Sequence, residues 1–331
     1  MDLWKLLNKL KKLSDFFYAN GIVDIYTNSK IYEVLIANTL GHQIINGHAN
    51  SPDAKDEDGN CYEYKHYKKS SSNHTWTFND YSTLTIERLY YIKAVCFVVI
   101  NDKYIIPEIE QIYIVPGGAV AEYIKAKILN IENHRKMINI SFNQIIDQMP
   151  YELIDEHKIK MLNSENLWNG SIYHTTINAA LNEIFITVGE IEKIIKVRGI
   201  LTSNKLWELL LACKLRHKIN PEQRMHDAYD IKGRTYEYKI SIRPLWTFQD
   251  ISDNVLESYL SDEKIILAIV DKRAFVVQHI AVCKPKAIIE ILNRKLSDKK
   301  ERFSEIRRLT ASIGMKDINQ MIETGDAEWI L

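Results

Sequence analysis

Glu63 and Lys65 stand two positions apart in the segment CYEYKHY, with Asp53 a short distance upstream. On a β-strand, Glu63 and Lys65 project from one face while Tyr62 and Tyr64 project from the other. Asp53, at the far end of a hairpin partner, then meets Glu63 across the ladder. Two carboxylates, a strand carbonyl and waters make the hard oxygen set that Mg²⁺ prefers. Lys65 cannot ligate a cation. An ammonium at that place lowers the pKa of a neighbouring water and stabilises the charge of a pentavalent phosphoryl transition state, while Mg²⁺ polarises the phosphoryl oxygen. Hydrolysis of a phosphodiester is the reaction such a set suits.

A lone acid-x-Lys triplet means little, because the chain also contains Asp53-Ala54-Lys55, Glu156-His157-Lys158, Asp230-Ile231-Lys232, Asp262-Glu263-Lys264 and Asp298-Lys299-Lys300. An exposed ion pair of that kind adds little stability and does no chemistry. The set gains meaning because it occurs twice. SPDAKDEDGNCYEYK from Ser51 aligns without gaps on MHDAYDIKGRTYEYK from Met225, an offset of 174. Asp53 falls on Asp227, Glu63 on Glu237 and Lys65 on Lys239, with Asp56, Gly59, Tyr62 and Tyr64 matched to Asp230, Gly233, Tyr236 and Tyr238. Upstream, SKIYEVLIANTLGHQI parallels NKLWELLLACKLRHKI, pairing Glu33 with Glu208 and His42 with His217. Downstream, WTFND at Trp76 parallels WTFQD at Trp246 with the offset reduced to 170, which places an insertion of four residues within HYKKSSSNHT. Weaker echoes follow, among them FNQII near 142 against INQMI near 318.

The elements that must position these residues can be read from pattern. Residues 31 to 40 are apolar on nearly all sides, as in a buried helix, yet include Glu33, which there requires a partner. The Asp53 segment and CYEYKHY form two strands joined by a tight turn at Asp58-Gly59. A helix follows WTFND, whose polar residues suit an N-cap. AVCFVVI and KIILAIV have the continuous apolar character of buried strands, and a further strand and helix complete each unit. The expected architecture is mixed α/β, with units at 1–149 and 176–331 and a connector at 150–175. A chain of 331 residues is long enough for two domains.

The Glu-bearing helix, Pro52-Asp53 and Glu63-Tyr64-Lys65 together resemble the PD-(D/E)xK nucleases, which include type II restriction endonucleases and Holliday-junction resolvases. The resemblance covers the first half of each unit. It implies two tandem restriction-endonuclease-like domains, each a central mixed sheet flanked by helices. It also implies catalytic sets Asp53, Glu63, Lys65 and Asp227, Glu237, Lys239, with Mg²⁺ held by Asp53 and Glu63 in one and by Asp227 and Glu237 in the other. Glu33 and Glu208 would support the metals. The second copy has His226 where the pattern has proline, and both copies keep every residue the chemistry requires. Enzymes that cut both DNA strands are commonly symmetric dimers, and a fused repeat supplies the same symmetry within one chain. A monomeric, pseudo-two-fold type II restriction endonuclease acting on double-stranded DNA, with a cognate DNA methyltransferase in the same system, is therefore expected. The alternatives are a repair or recombination nuclease that recognises mismatches or junctions, and a non-catalytic DNA-binding protein on the same fold.

Composition limits the rest. With 46% apolar and 26% charged residues and few Gly or Pro, the chain has the make-up of a soluble globular protein. Its longest apolar runs are too short to span a bilayer, and MDLWKLLNKLKKL reads as an amphipathic helix without a cleavage site, so a cytoplasmic protein without a membrane partner is expected. Cysteines 61, 96, 213 and 283 lack zinc or disulfide spacing. The formal net charge of zero gives no support to nonspecific nucleic-acid binding, so cations must be concentrated in a cleft. Candidate DNA contacts are Lys68, Lys69, Thr77 and Asn79 in the first copy and Arg243, Thr247 and Gln249 in the second, with specificity segments at 66–75, 218–225 and 150–175. Asp56 and Asp230 read better as turn residues than as metal ligands. His42 and His217 read better as helix-end groups than as phosphate contacts. Trp76, Phe78, Trp246 and Phe248 read as core.

Overall fold

A strand buried on both faces must be apolar throughout, and Ala94–Asn101 and Lys264–Asp271 are the innermost strands of two six-stranded sheets in this computed structural model. The structure describes residues 2–46, 51–79, 82–129, 137–168, 172–222, 226–302 and 309–331. In chain order the elements are α1 (Leu3–Ala19), α2 (Lys30–Leu40), β1 (Gln43–Ile44), β2 (Ala54–Lys55), β3 (Cys61–Lys68), β4 (Trp76–Phe78), α3 (Thr83–Leu89), β5 (Ala94–Asn101), β6 (Glu108–Pro116), α4 (Gly117–Ile128), β7 (Ile138–Ile140), α5 (Phe142–Gln148), β8 (Glu152–Ile154), α6 (Glu156–Trp168) and α7 (Ile172–Ile195). The order then recurs: α8 (Lys205–Leu215), β9 (Lys218–Ile219), β10 (Ala228–Tyr229), β11 (Thr235–Ser241), β12 (Leu245–Ile251), α9 (Asp253–Leu260), β13 (Lys264–Asp271), β14 (Val276–Cys283), α10 (Pro285–Arg302), β15 (Leu309–Gly314), α11 (Met315–Glu323) and β16 (Ala327–Trp329).

The expected mixed α/β class is what the chain adopts, in two tandem sheet-containing units. The sheets have the orders β1-β2-β3-β5-β6-β8 and β9-β10-β11-β13-β14-β16, and each unit adds a two-stranded sheet, β4-β7 or β12-β15. β3 runs parallel to β5 with Glu63 beside Val95 and Lys65 beside Phe97; β11 runs parallel to β13 with Glu237 beside Ile265 and Lys239 beside Leu267. The remaining pairs are antiparallel. The two registers agree residue for residue with the alignment of the repeat.

The compact units are not contiguous in sequence: residues 15–25 belong with 29–189, and residues 1–14 and 26–28 belong with 190–331. We refer to them as the N-terminal and C-terminal units. The expected connector at 150–175 begins with a strand of the N-terminal sheet, β8, which pairs with β6 as β16 pairs with β14. The repeat therefore extends to Ile154, and the rest of that segment holds α6 and the start of α7. Three residues of edge strand carry too little alternation to be seen as a pattern. Among the described residues no helix is long and apolar enough to cross a membrane. The four cysteines are free, with Cys96 and Cys283 buried in β5 and β14.

The side of the sheet bearing Glu63 and Lys65 also carries an extensive apolar core. Trp76, Phe78, Val95, Phe97, Tyr113 and Ile124 pack there, and the C-terminal unit builds the same core from Trp246, Phe248, Ile265 and Leu267. Each tryptophan also satisfies its own polar atom, since Trp76 Nε1 donates to the Val98 carbonyl and Trp246 Nε1 to the Ala268 carbonyl, both at 2.9 Å. Trp76→Ala removes a fully buried ring and that bond, so it should destabilise the fold by about 3–5 kcal/mol, read as a lower urea midpoint at unchanged slope.

Candidate active sites

The hairpin between β2 and β3 sets the geometry of the first site. Asp56 accepts from the Gly59 amide at 3.1 Å, and Gly59 has φ 83°, a left-handed conformation that glycine adopts without strain. The second hairpin repeats this at Asp230 and Gly233, with φ 77°. The side chains of Asp56 and Asp230 are used within these turns. Asp56 accepts from the Asn60 amide and side chain and pairs with Lys93, and Asp230 accepts from the Lys232 and Arg234 amides and pairs with Arg234. These contacts hold both carboxyls below the usual range, Asn60 contributing most at Asp56 and Arg234 offsetting burial at Asp230. The turn-residue reading of both fits these contacts.

The ladder between β2 and β3 stops just where the chemistry begins. Asp53 donates its amide to the Tyr62 carbonyl, and its carboxylate then accepts from the Tyr64 amide at 2.7 Å, replacing the backbone partner that a longer strand would supply. Asp227 does the same with Tyr236 and Tyr238, again at 2.7 Å. Both aspartates are thereby fixed opposite Glu63 and Glu237. Lys65 pairs with Glu63 at 2.5 Å and Lys239 pairs with Glu237. Each ammonium also lies 5.3 Å from the centre of an aromatic ring, Phe78 or Phe248, a cation–π contact that limits where it can point.

Electrostatics set these residues apart from surface ion pairs. Burial, reinforced by repulsion from Glu63 and Glu33, pushes the Asp53 carboxyl up to about 8. Glu208 is likewise pushed up to about 8 and Glu237 to about 7, chiefly by burial and then by Asp227. Asp227 is raised by burial as well. Lys239 moves the other way from what burial alone would do, because Glu237, Tyr259 and Asp227 hold its proton. The expected supporting residues are thus part of the same electrostatic clusters; Glu33 also pairs with Lys30 at 2.8 Å. Within each set the paired acids, Asp53 with Glu63 and Asp227 with Glu237, crowd one ammonium, an arrangement that favours added positive charge. Among the described residues no group of three or more His, Cys, Asp or Glu side chains is set to hold a metal by itself. Asp53 with Glu63, and Asp227 with Glu237, offer carboxylate oxygens, the donor type that hard divalent cations take.

A cleft of about 510 Å³ opens beside the first set, lined by Pro52, Glu63, Lys65, Asn79, Arg88 and Tyr91 among others. Beside the second set a cavity of about 230 Å³ is lined by Lys205, Glu208 and Asp227. The candidate DNA contacts are dispersed. Asn79 lines the first cleft, and Thr77 lines it too while donating its hydroxyl to Asn139 at 2.8 Å. Lys68 lies over the Tyr32 ring, and Lys69 is paired with Glu110. Thr247 shares a hydrogen bond with Ser312, and Arg243 and Gln249 are exposed on the loop before β12 and on β12 itself. The four inserted residues lie in the β3–β4 loop, whose Ser70 amide is held by Asp102. Residues 169–171 and 223–225, in two of the candidate specificity segments, lie outside the described residues.

His42 and His217 lie on the sheet face opposite Glu63 and Glu237. His42 Nδ1 bonds the Tyr64 hydroxyl at 2.8 Å and stacks on Tyr62; His217 bonds Tyr238 at 2.7 Å and stacks on Tyr236. Those tyrosines occupy the face opposite Glu63 and Lys65, and burial lowers His42 to about 4, so it is neutral at physiological pH. His42→Ala leaves the buried Tyr64 hydroxyl without this partner and should cost about 1–3 kcal/mol. Thermal melts and DNA-binding titrations of that variant should show lost stability at unchanged affinity; the reverse outcome would restore a phosphate-contact role.

Two features escaped sequence reading. His226, in place of Pro52, pairs at 2.8 Å with the buried Asp262, which stands in place of Ile92. The two exchanges are coupled in space, and only the parallel register of β11 and β13 reveals it. Arg88 and Tyr91 on the wall of the first cleft were the other. No family model matches the chain, and no curated protein matches it.

Proposed function

We propose that this chain is a Mg²⁺-dependent endonuclease that hydrolyses both strands of double-stranded DNA at a specific sequence, as a type II restriction endonuclease does, with one Asp-Glu-Lys site for each strand. The observation that carries this reading is that the carboxyl-carboxyl-lysine cluster occurs in both units with the matching Asp–amide hydrogen bond, Glu–Lys ion pair and lysine–phenylalanine contact. A structural ion pair would not require at its side, in both copies, a crowded aspartate whose carboxyl burial pushes above its usual range.

In this reading Asp53 and Glu63, or Asp227 and Glu237, hold Mg²⁺, which when bound would polarise the phosphoryl oxygen and offset its charge. The Tyr64 and Tyr238 amides fix the aspartates so that little reorganisation is needed. Lys65 and Lys239, held by Glu63 and Glu237 and by the aromatic faces, present a positive charge where negative charge grows on the phosphoryl group and favour deprotonation of the attacking water. Glu33 and Glu208 add negative charge that raises affinity for the cation. A cognate methyltransferase belongs to the same proposal. Incubation with long phage DNA tests it: Mg²⁺ should yield discrete fragments and EDTA none, whereas cutting confined to mismatched or branched substrates would favour a structure-specific repair nuclease.

A further inference from the structure

The cleft beside the first site is walled by α3, whose counterpart in the C-terminal unit is α9. α3 and α9 correspond residue for residue, with Ile86 and Leu256, then Leu89 and Tyr259, buried as the shared core positions. On the face turned away from that core the N-terminal unit has Leu84, Arg88 and, just past the helix end, Tyr91. The C-terminal unit has Asn254, Ser258 and Ser261 at the same places. Arg88 and Tyr91 line the 510 Å³ cleft that also contains Glu63 and Lys65, and Tyr91 is 86% exposed. The serines carry no charge, and their hydroxyls bond within their own helix, Ser258 donating to the Val255 carbonyl at 2.7 Å and Ser261 to the Ser258 carbonyl at 2.6 Å.

Tyr91, almost wholly in water, and Arg88 stand on the wall of the cleft that also holds Glu63 and Lys65. A guanidinium forks onto a phosphate through paired N–H donors, and an adjacent phenol ring packs against the sugar or base of the same nucleotide. Arg88 adds a second cation to a cleft in which Lys65 is otherwise bound to Glu63. The C-terminal unit has no such cation at the matching helical position.

Resting on the nuclease reading above, we propose that Arg88 and Tyr91 form a contact surface for the DNA strand entering the first site, and that this surface makes the first site engage and cut its strand before the second. Arg88 takes a phosphate neighbouring the scissile one, and Tyr91 lies against the nucleotide attached to it. The paired sites are thus unequal in binding although equal in catalytic residues.

The test uses the full chain and a duplex containing its cleavage sequence, each strand labelled at its 5′ end, with Lys65→Ala identifying the strand cut by the first site. Under single-turnover conditions the wild type should accumulate a nick in that strand. The R88S/Y91S variant should lose that order, cutting that strand at least tenfold more slowly and the other within twofold of wild type. Binding measured without metal supplies an independent readout. The variant's plot of log affinity against log salt should be shallower by about 0.9, the loss of one phosphate contact. An unchanged melting temperature confirms that the fold is intact. Equal slowing of both strands, or an unchanged salt slope, overturns the inference while leaving the nuclease reading in place. A wild type that neither binds nor cuts duplex DNA overturns both.

Discussion

Lys65→Ala is expected to convert the protein into an enzyme that nicks duplex DNA at its site, and Lys239→Ala into one that nicks the opposite strand. Each substitution removes the one positive charge placed beside the acidic pair, so the rate at the affected strand should fall on the order of 10²–10³-fold. The fold should survive, because each ammonium is paired with a glutamate two residues away and neither lysine belongs to the apolar clusters. Supercoiled plasmid should accumulate as the open circle, and run-off sequencing of the nick should report opposite strands for the two variants. A single variant that still linearises plasmid at the wild-type rate without dimerising would show that the two sites do not divide the strands between them.

Asp53→Asn should give a protein that is more stable without metal and inactive on one strand. Burial, with Glu63 and Glu33 nearby, pushes the Asp53 carboxyl from its ordinary 3.8 up to about 8 in the folded chain. Between those values the folded state holds a proton that the unfolded state has released. A contribution of this kind is fully present below the unfolded value and is lost as pH rises through about 8. Metal-free protein should accordingly lose stability as pH rises across that window, and Mg²⁺, by taking the proton's place, should restore it and release protons. Asparagine at 53 can still accept from the Tyr64 amide through its carbonyl but carries no charge to repel Glu63 and Glu33. At pH 8 without Mg²⁺ the variant should melt above the wild type, by about 2–4 °C for each kcal/mol gained, and Mg²⁺ should raise its melting temperature less than it raises that of the wild type. Melting temperatures with and without Mg²⁺ at pH 6 and pH 8 decide the matter; a variant less stable than wild type at pH 8 would assign Asp53 a structural role.

Gain of stability with loss of activity is what distinguishes a functional cluster from a structural one. Asp56 gives the contrast. Its carboxyl is held below the usual range by Asn60, Lys93 and Tyr62, so its replacement should destabilise the hairpin. Two aspartates three residues apart thus have opposite electrostatic signs: one is held below the usual range by the turn it belongs to, and the other is pushed above it by burial and by Glu63 and Glu33.

The features legible in the sequence were those repeated under a local constraint. Gly59 and Gly233 marked the hairpins because their positive φ suits glycine, and the alternation of Tyr and charge in β3 and β11 fixed which face Glu63 and Lys65 share. Continuous apolar runs located β5 and β13 because a strand covered on both sides admits nothing else. Misreadings occurred where local pattern is degenerate. FNQII was matched to INQMI, whereas the pairing of Trp76 with Ile140 and Trp246 with Ile313 aligns Ile145 with Ile318. The two alignments differ by about one helical turn, and a helix slipped by a turn presents nearly the same apolar stripe.

Caps and partners were less accessible. The helix after WTFND is capped by Ser82, and its equivalent by Ser252, whose hydroxyls accept from Thr85 and Val255. Any of several adjacent polar residues could have served, and nothing local separates them. The partnership of His226 with Asp262 and the placement of Arg88 in the cleft depend on the parallel pairing of strands distant in sequence, so they became visible only once the sheet was assembled. The divergence of Arg88 and Tyr91 from Ser258 and Ser261 was present in the alignment all along. It carried no meaning until the helix was seen to wall the cleft.

Digestion of phage DNA by the wild type and by the Lys65→Ala/Lys239→Ala double variant, side by side in Mg²⁺, tests the central claim most directly. The proposed account requires discrete fragments from the wild type, with one sequence common to every cut end, and intact DNA from the double variant, with both proteins melting cooperatively. Equal cutting by the two proteins, or no cutting by a folded wild type in Mg²⁺, would contradict it.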